Sequence, residues 1–261
     1  TRTYLLTLQI HLPKLSIVGS DVAISAWKRF EKTPGWQRKK RFLKRLTGKE
    51  LRLHVEIDVP TVKDGGWWFS TEKLNNDSIV YSLGVGDEIN FDLAIIEQFG
   101  VEVFGFDPTP NSIELLDSSK LPDRFHFFPW AVMATDGTLK FYPRLKKDGS
   151  KSDVMFTMIP EEETKDDVIE VPAYSLSSIT EKLGHDRIDL LKMDIEGAEY
   201  EVLEGLLDCP VLPEQLLVEF HHRFVENGLQ RTYDIVDQLR SAGYKIFAIS
   251  EIGREISFLR R

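Results

Sequence analysis

Two glycines and a carboxylate are the first residues whose spacing suggests chemistry. Gly84 and Gly86 follow the apolar run 79–83, and Asp107 ends a second apolar run at 101–106, with a helical pattern between the runs. Glycines let the backbone approach a ligand closely because they lack a Cβ. A carboxylate ending the second strand of such a unit accepts hydrogen bonds from both hydroxyls of a ribose. The pattern predicts a site for an adenosine-containing cofactor, and an ordinary α/β turn with an incidental acid is the alternative.

The residues after the glycines indicate which cofactor. A dinucleotide fold has a third glycine where this chain has Ile89, and Asp87 and Glu88 place negative charge beside the turn. Two carboxylates repel a pyrophosphate but attract a cationic ligand, such as the sulfonium and amino group of S-adenosylmethionine. The sequence contains no G-x-x-x-x-G-K-[ST] motif of a P-loop. S-adenosylmethionine is therefore the predicted cofactor.

Three acids surround the end of another apolar run. Asp194, Glu196 and Glu199 follow the run 188–193, and ligands of open α/β sheets bind outside the carboxyl ends of the strands. Glu199 falls in the first turn of the next predicted helix, where the helix dipole favours a carboxylate, so capping is its alternative role. Three acids at one strand end exceed what capping requires, and this favours a functional site.

A third set of candidates is the run Glu219-Phe220-His221-His222, which ends the following predicted strand. Side chains alternate along a strand, so Glu219 and His221 share one face. We expect Asp194, Glu219 and His221 to converge, either as acid–base groups or as an oxygen and nitrogen site for a divalent metal. We predict that His221 is the general base, with a hydrogen-bonded structural histidine as the alternative.

Charge is distributed unevenly along the chain, whose net charge is −9. Residues 37–52 contain eight basic residues against the single acid Glu50, so the rest of the chain is strongly acidic. A basic helix with interleaved apolar residues can contact an anionic membrane, a polyanion or its own acidic domain, and a solvated helix face is the plainer interpretation. The acidic remainder argues against nucleic acid as the main substrate.

Cysteine content and hydropathy limit the class of protein. The single cysteine, Cys209, excludes an intrachain disulfide framework and a cysteine-based metal cluster. The sequence has no apolar stretch of about 18 residues, the minimum for a transmembrane helix. We expect a cytoplasmic protein or one peripheral to a membrane, with a targeting segment upstream of Thr1 as an alternative.

The elements that must position these residues alternate between strands and helices. The main predicted strands are 51–59, 79–83, 101–106, 125–131, 188–193, 216–220, 245–249 and 255–259, and the main predicted helices are 20–31, 36–47, 177–183, 198–207 and 231–242. The polar stretch 144–167 is predicted to be a mobile loop over the site. The order predicts an α/β fold, a doubly wound and mostly parallel Rossmann-like sheet. A close hairpin at the end indicates one reversed terminal strand, which suits class I methyltransferases.

Two domains are predicted from this order. Residues 1–60 form an N-terminal extension with the basic helix and a strand, and residues 61–261 form the cofactor-binding domain. Near the start of the second domain, the segment Gly65-Gly66-Trp67-Trp68 either forms an aromatic wall over a ligand or plugs the edge of the sheet.

The sequence resembles the FkbM-type methyltransferases. Residues 190–199, LLKMDIEGAE, are similar to the family's strand-four signature, and residues 176–179 and 131–138 are similar to flanking segments. The first motif, SLGVGDE at 82–88, departs from the family's D-x-G-A-N-x-G. Together with Gly65-Gly66-Trp67 and Asp107-Pro108-Thr109-Pro110, it looks more like the methyltransferase-like branch of eukaryotes. The resemblance extends over residues 62–260.

This resemblance implies site roles. Gly84, Val85 and Gly86 would line the methionine moiety, and Asp107 would hold the ribose. Ala131 and Val132 would meet the adenine, and Asp194 would contact the amino acid end of the cofactor or face the acceptor.

These features bear on three functions. The first is O-methylation of a carbohydrate or another hydroxylated small molecule. The second is a catalytically silent binding module recruited through the basic segment 37–52. The third, an NAD(P)-dependent oxidoreductase, is disfavoured by Ile89. N-methylation is disfavoured because no [ND]-P-P-[YF] motif is present.

Overall fold

The computed structural model describes residues 50–86, 88–146, 148–157 and 162–261, together with Trp36, Thr47 and Gly48. The chain divides into two compact units, Thr1–Glu50 and Leu51–Arg261. The predicted helix at 20–31, most of the predicted helix at 36–47 and most of the basic segment 37–52 lie outside the described residues. In the part of the chain that is described, no helix has the length and apolar character needed to cross a membrane.

The second unit contains thirteen strands and five helices among its described residues. The strands are β1 (Thr61–Asp64), β2 (Trp67–Ser70), β3 (Ile79–Leu83), β4 (Glu102–Phe106), β5 (Phe125–Phe128), β6 (Ala131–Val132), β7 (Gly137–Leu145), β8 (Lys151–Thr157), β9 (Ile169–Tyr174), β10 (Leu190–Met193), β11 (Gln215–Glu219), β12 (Tyr244–Ile249) and β13 (Glu255–Arg260). The helices are α1 (Asn90–Phe99), α2 (Pro110–Ser118), α3 (Leu176–Leu183), α4 (Glu199–Leu206) and α5 (Gly228–Ser241).

A seven-stranded sheet forms the centre of this unit, in the order β12-β13-β11-β10-β3-β4-β5. The five strands β11, β10, β3, β4 and β5 are parallel to one another. Strand β13 lies between β11 and β12 and is antiparallel to both. The predicted doubly wound, mostly parallel sheet with one reversed strand is therefore confirmed.

Apolar cores cover both faces of this sheet. Successive residues of a strand point to opposite faces, so Val80 packs in one core with Phe91 and Ile95 of α1. Its neighbour Tyr81 packs in the other core with Leu203 of α4. A parallel strand buried on both faces needs a nearly continuous apolar run, as the sequence of β3 shows. This arrangement leaves only the ends of the strands available for polar chemistry.

The predicted strand at 51–59 is wrong. The amides of Glu56 and Ile57 both donate to the carbonyl of Ile246, at 2.7 and 3.2 Å. The N–H of Ile246 donates to the Glu56 carboxylate at 2.9 Å instead of to a backbone carbonyl. A regular ladder forms no such pairs. The alternating apolar pattern also misleads at Val55, whose side chain is half exposed.

The predicted mobile loop at 144–167 is also wrong over much of its length. Strands β7 and β8 form an antiparallel hairpin that pairs with β9. At its turn, Lys146 N–H donates to the Ser150 carbonyl at 2.8 Å, and the Asp148 carboxylate accepts hydrogen bonds from the amide and hydroxyl of Ser150. Local turn chemistry thus orders a stretch whose polar composition suggested a loop. Strand β8 lies beside α2, the helix that follows Asp107.

Residues 65–68 pack against the central sheet, which is the second of the two alternatives predicted for this segment. Trp67, in β2, is 8 % exposed and belongs to the core that contains α1. A Cβ on Gly65 would lie 2.2 Å from the Cα of Phe91, so glycine is required where the β1–β2 hairpin meets α1. The carbonyl of Trp68 accepts a hydrogen bond from the Ser257 hydroxyl at 2.8 Å.

The Glu56 contacts predict a pH-dependent loss of stability in Glu56→Gln. Burial alone raises the pKa of Glu56, but hydrogen bonds from Ile246 and Arg240 outweigh it and hold the pKa below its usual range. The stabilisation is therefore complete at neutral pH and is lost as the pH falls through the lowered folded-state pKa. We expect a loss of about 2 kcal/mol at pH 7, measured by urea denaturation. Exposed Glu97→Gln is the control, and an equal loss at pH 3 would contradict the assignment.

Candidate functional site

The turn after β3 meets the end of β10 through backbone contact. Gly84 has φ +72°, and a Cβ there would lie 1.8 Å from the carbonyl oxygen of Asp194. The Asp194 N–H donates to the Leu83 carbonyl at 3.0 Å, and the Gly84 N–H donates to the Phe106 carbonyl at 2.9 Å. The two constellations found separately in the sequence are therefore contiguous in space.

Gly86 completes this turn, residues 84–86, which we call the glycine turn. It has φ +62°, and a Cβ there would point into open space. Its N–H donates to Asp107 Oδ2 at 2.8 Å. Asp107 Oδ1 accepts from the amide and hydroxyl of Thr109, at 2.8 and 2.6 Å. Asp107, only 5 % exposed, thus fastens the glycine turn to the end of β4 and retains about one free acceptor position.

The other predicted cofactor residues present little side-chain surface. Val85 is 2 % exposed, and its Cγ2 is one of two atoms that a Cβ on Gly105 would approach to 2.9 Å. Ala131 and Val132 form β6, pair with β9 and are 4 and 6 % exposed. Contacts from these three residues to a cofactor would therefore use their backbone atoms.

Aromatic rings gather at the end of β5, where sequence reasoning named only Ala131 and Val132. Trp130 is partly exposed, and its ring centroid lies 4.6 Å from that of Phe128 and 5.0 Å from that of Tyr174. The run Phe-Phe-Pro-Trp at 127–130 is the sequence signal for this feature. These rings form an apolar surface beside β4, the neighbour of the strand that leads into the glycine turn.

The structure brings together Asp194, Glu219 and His221, which we call the strand-end cluster. His221 Nε2 lies 3.9 Å from Asp194 Oδ1 and 3.8 Å from Glu219 Oε1. It also lies 3.6 Å from Oε2 of Glu196, whose side chain is 80 % exposed. The convergence expected from the carboxyl ends of neighbouring parallel strands is therefore present.

Glu199 plays a part in this cluster that the sequence did not reveal. It is fully buried at the start of α4, and its carboxylate accepts hydrogen bonds from the amides of Gly197 and His221, at 2.7 and 2.6 Å. Its Oε1 also lies 3.4 Å from His221 Nδ1. Glu199 thus joins α4 to the residues after β11 rather than only capping its own helix.

The surrounding charges shift the pKa values of the strand-end cluster. Burial alone lowers the pKa of His221, but Glu199, Glu196 and Glu219 outweigh it and raise the pKa to about 9. Burial raises the pKa of Asp194, and burial with the Asp194 charge raises that of Glu219. At pH 7 only about 1 % of an imidazole with such a pKa is neutral. The predicted role of His221 as general base therefore requires that its proton be displaced first.

A buried lysine and a buried aspartate lie next to the glycine turn. Lys192, in β10, is 4 % exposed and donates to the Gly84 carbonyl at 3.1 Å. Its ammonium also lies 5.5 Å from the Trp67 ring centroid. Asp92 of α1 is fully buried; burial raises its pKa and the charge of Lys192 opposes that shift. Lysine is seldom buried without a partner. The Gly84 carbonyl is such a partner for Lys192, and their hydrogen bond helps to hold the turn.

Comparison with known proteins agrees with this geometry. The family model described as the methyltransferase FkbM domain matches residues 71–246, which include the glycine turn and the strand-end cluster. This chain belongs to the FkbM methyltransferase family. The resemblance noted in the sequence is therefore confirmed, and the fold is that of a class I methyltransferase.

The curated relatives include probable methyltransferase-like protein 24 from Homo sapiens, which is 27 % identical over 200 residues. That alignment covers 72 % of this chain and 47 % of the human protein. The protein of the same name from Rattus norvegicus is 27 % identical over 199 residues, covering 70 % and 46 %. The chain thus spans about half the length of the curated relatives it matches.

Similar solved structures include a fibrillarin/Nop5p complex, with TM-score 0.40 and 13 % identity, covering 87 % of this chain and 81 % of that one. Another is a putative S-adenosyl-L-methionine-dependent methyltransferase from Methanococcus maripaludis. It has TM-score 0.36 and 9 % identity, covering 96 % of this chain and 97 % of that one.

The two glycines of the turn predict unequal effects of an added methyl group. A left-handed conformation costs any other residue about 1 kcal/mol, so we expect Gly86→Ala to lower the free energy of unfolding by about that amount. Gly84→Ala also drives its methyl into the Asp194 carbonyl, and we expect a loss of about 3 kcal/mol or more. Urea denaturation monitored by circular dichroism measures both. Equal losses would contradict the contact between the two strand ends.

Proposed function

We propose that this chain is an S-adenosylmethionine-dependent methyltransferase that methylates a hydroxyl group of a carbohydrate or another hydroxylated small molecule. The observation that carries the proposal is the contact between Gly84 and the Asp194 carbonyl. In this proposal the glycine turn and the strand-end cluster are two halves of one site. A donor at the turn and an acceptor at the cluster would then be neighbours.

The donor half suits a cation next to an adenosine. The open space beyond Gly86 leaves room for a ligand against the turn, and Asp107 lies at the end of the neighbouring strand, where a ribose would reach its remaining acceptor position. The rings at Trp130 provide an apolar surface for a base. The carboxylate of Asp194 attracts a sulfonium, because opposite charges at short distance interact favourably.

The acceptor half supplies groups that bind and deprotonate a hydroxyl. Transfer requires that the hydroxyl oxygen attack the methyl carbon in line while the carbon–sulfur bond breaks. The bonding pair stays on sulfur and gives neutral S-adenosylhomocysteine, and the hydroxyl proton passes to a base. Asp194 and Glu219 are the carboxylates of the strand-end cluster that could accept this proton. Both have raised pKa values, and such carboxylates are stronger bases than ordinary ones. Holding donor and acceptor in line supplies much of the rate.

An exposed aromatic ring supports an acceptor that has both hydroxyls and an apolar face. Phe224 is 70 % exposed. Its ring stacks on the His221 imidazole, with centroids 5.8 Å apart and planes at 20°. The wall of the acceptor half is thus apolar beside a group of carboxylates that accept hydrogen bonds from hydroxyls. A sugar ring or a similar polyol presents both kinds of surface.

A second candidate is a catalytically silent binding module on the same fold. Its support is that the site is already internally paired, since three chain donors engage Asp107 and carboxylates surround His221. Such a module would bind the cofactor or a partner without turnover. Turnover, not cofactor binding, separates the two candidates.

Calorimetric titration tests the donor half. We expect S-adenosylhomocysteine to bind in the micromolar range and NAD⁺ not to bind. Asp107→Ala should weaken S-adenosylhomocysteine binding about 30-fold, because a charged acceptor worth about 2 kcal/mol is lost. Exposed Asp123→Ala is the matched control. Binding of NAD⁺, or of neither ligand by folded protein, would count against the proposed cofactor.

Methyl transfer from labelled S-adenosylmethionine to a panel of sugars, polyols and amines tests the acceptor half. We expect transfer to a hydroxylated acceptor, and His221→Gln should reduce turnover at least tenfold while S-adenosylhomocysteine still binds. Full turnover in His221→Gln would remove that residue from the reaction. Transfer only to amines would overturn O-methylation, and binding without any transfer would favour the silent module.

A further inference from the structure

The strand-end cluster has the composition and spacing of a metal site. We propose that Asp194, Glu219 and His221 bind a divalent cation of the Mn²⁺ class, with Glu199 orienting His221. One ligand atom from each of the three residues lies within 4.8 Å of the others. Ligands that share a cation at bond lengths of about 2.0–2.3 Å stand roughly 3–4 Å apart. The distances from Nε2 to the two carboxylates, 3.9 and 3.8 Å, need only small shifts to close on one ion.

The position of the His221 imidazole suits a metal ligand. The side chain is about 95 % buried, since the residue is 5 % exposed, and its Nε2 points at three carboxylates. None of them is within hydrogen-bond distance, because the shortest separation is 3.6 Å. Of the two ring nitrogens, Nδ1, which faces Glu199, is the fully buried one that lacks a hydrogen bond. An ion among these atoms would satisfy Nε2 and the carboxylates together.

Glu199 provides the support that metal-bound histidines usually have. A ligating imidazole generally directs its other ring nitrogen at a carboxylate, which fixes the tautomer and the ring orientation. Glu199 Oε1 lies 3.4 Å from Nδ1, and two backbone amides hold the carboxylate in place. A proton on Nδ1 leaves the lone pair of Nε2 facing Asp194 and Glu219. Glu199 is therefore a positioning residue and not a ligand.

The local charge also favours a dication. Carboxylates at Asp194, Glu196, Glu199 and Glu219 surround the imidazole. Among the described residues, the positive side chains that act on these carboxylates include Arg254, 3.7 Å from Glu219 Oε1, and Lys192, whose charge opposes the effect of burial on the pKa of Asp194. The four carboxylates thus outnumber these two cationic side chains by two, an excess that a dication would balance.

Glu196 places further negative charge beside the cluster from a strained backbone. Its φ is +52°, a left-handed conformation that a glutamate seldom adopts. The following Gly197 also has a positive φ, of +110°. This turn directs the exposed Glu196 carboxylate back to 3.6 Å from Nε2. Strain of this kind persists where the surroundings require it, typically at ligand sites.

The donor set selects the kind of ion and its use. One imidazole nitrogen with two or three carboxylate oxygens suits Mn²⁺ better than Ca²⁺, which prefers oxygen ligands alone. Three protein ligands leave coordination positions open. This use of the site rests on the proposed function: an acceptor hydroxyl bound there would have a lowered pKa and a fixed position beside the donor.

A titration of the full chain with MnCl₂, followed by electron paramagnetic resonance without donor or acceptor, tests the proposal. We expect one site whose affinity falls at least tenfold in Asp194→Asn, Glu219→Gln and His221→Gln. We expect a 10- to 100-fold loss in Glu199→Gln. Exposed Asp123→Asn and His54→Gln are the matched controls and should bind as the wild type does. Bound Mn²⁺ should show coupling to a ¹⁴N nucleus that disappears in His221→Gln.

Three results would overturn the site. These are no binding at millimolar Mn²⁺, equal binding by the wild type and the cluster variants, or bound Mn²⁺ without nitrogen coupling. Circular dichroism checks the fold of each variant, and the wild-type titration with its nitrogen coupling decides the question if a variant unfolds. S-adenosylhomocysteine is titrated into the same sample. Its binding without Mn²⁺ binding would overturn only the metal site, and the reverse result would overturn only the proposed donor.

Discussion

The close approach of the Gly84 backbone to the Asp194 carbonyl is the constraint on which the site depends. Strands β3 and β10 are parallel neighbours with Leu83 opposite Met193, so both chains leave the sheet at the same level. Only a glycine in a left-handed conformation can turn there without a collision. The same contact brings the turn that would hold a methyl donor against the group that would hold an acceptor. The close approach of the two strand ends and the proposed ligand site thus both require a glycine at position 84.

This constraint explains why charged groups are buried beneath the site. Burying an ammonium or a carboxylate is costly unless each has partners. Lys192 meets that condition by donating to the carbonyl of the constrained glycine and by facing Asp92. Glu199 meets it by accepting two backbone hydrogen bonds from separate loops. Both groups therefore contribute to the stability of the turns that they organise, and the site and the fold share these interactions.

The sequence predicted the sheet well because parallel strands buried on both faces require continuous apolar runs, such as the one that became β3. It predicted which residues would converge because strand ends of such a sheet meet at one edge. It failed at 51–59 and 144–167. There, side-chain hydrogen bonds of Glu56 and Asp148 decide the backbone path, and apolar alternation or polar composition carries no information about them. The role of Glu199 was missed for the same reason, since its partner His221 lies on another element.

The position of β13 has a consequence for how the site is assembled. This strand pairs with β11 on the side away from β10, placing Glu255 opposite Glu219, and the Arg254 carbonyl accepts the Phe220 amide at 3.1 Å. During synthesis on a ribosome the glycine turn is therefore available long before the segment that fastens Glu219 and His221. Closure of the β11 edge is a late, long-range event, and such contacts slow folding. A nascent chain would therefore acquire the glycine turn first and the complete strand-end cluster last.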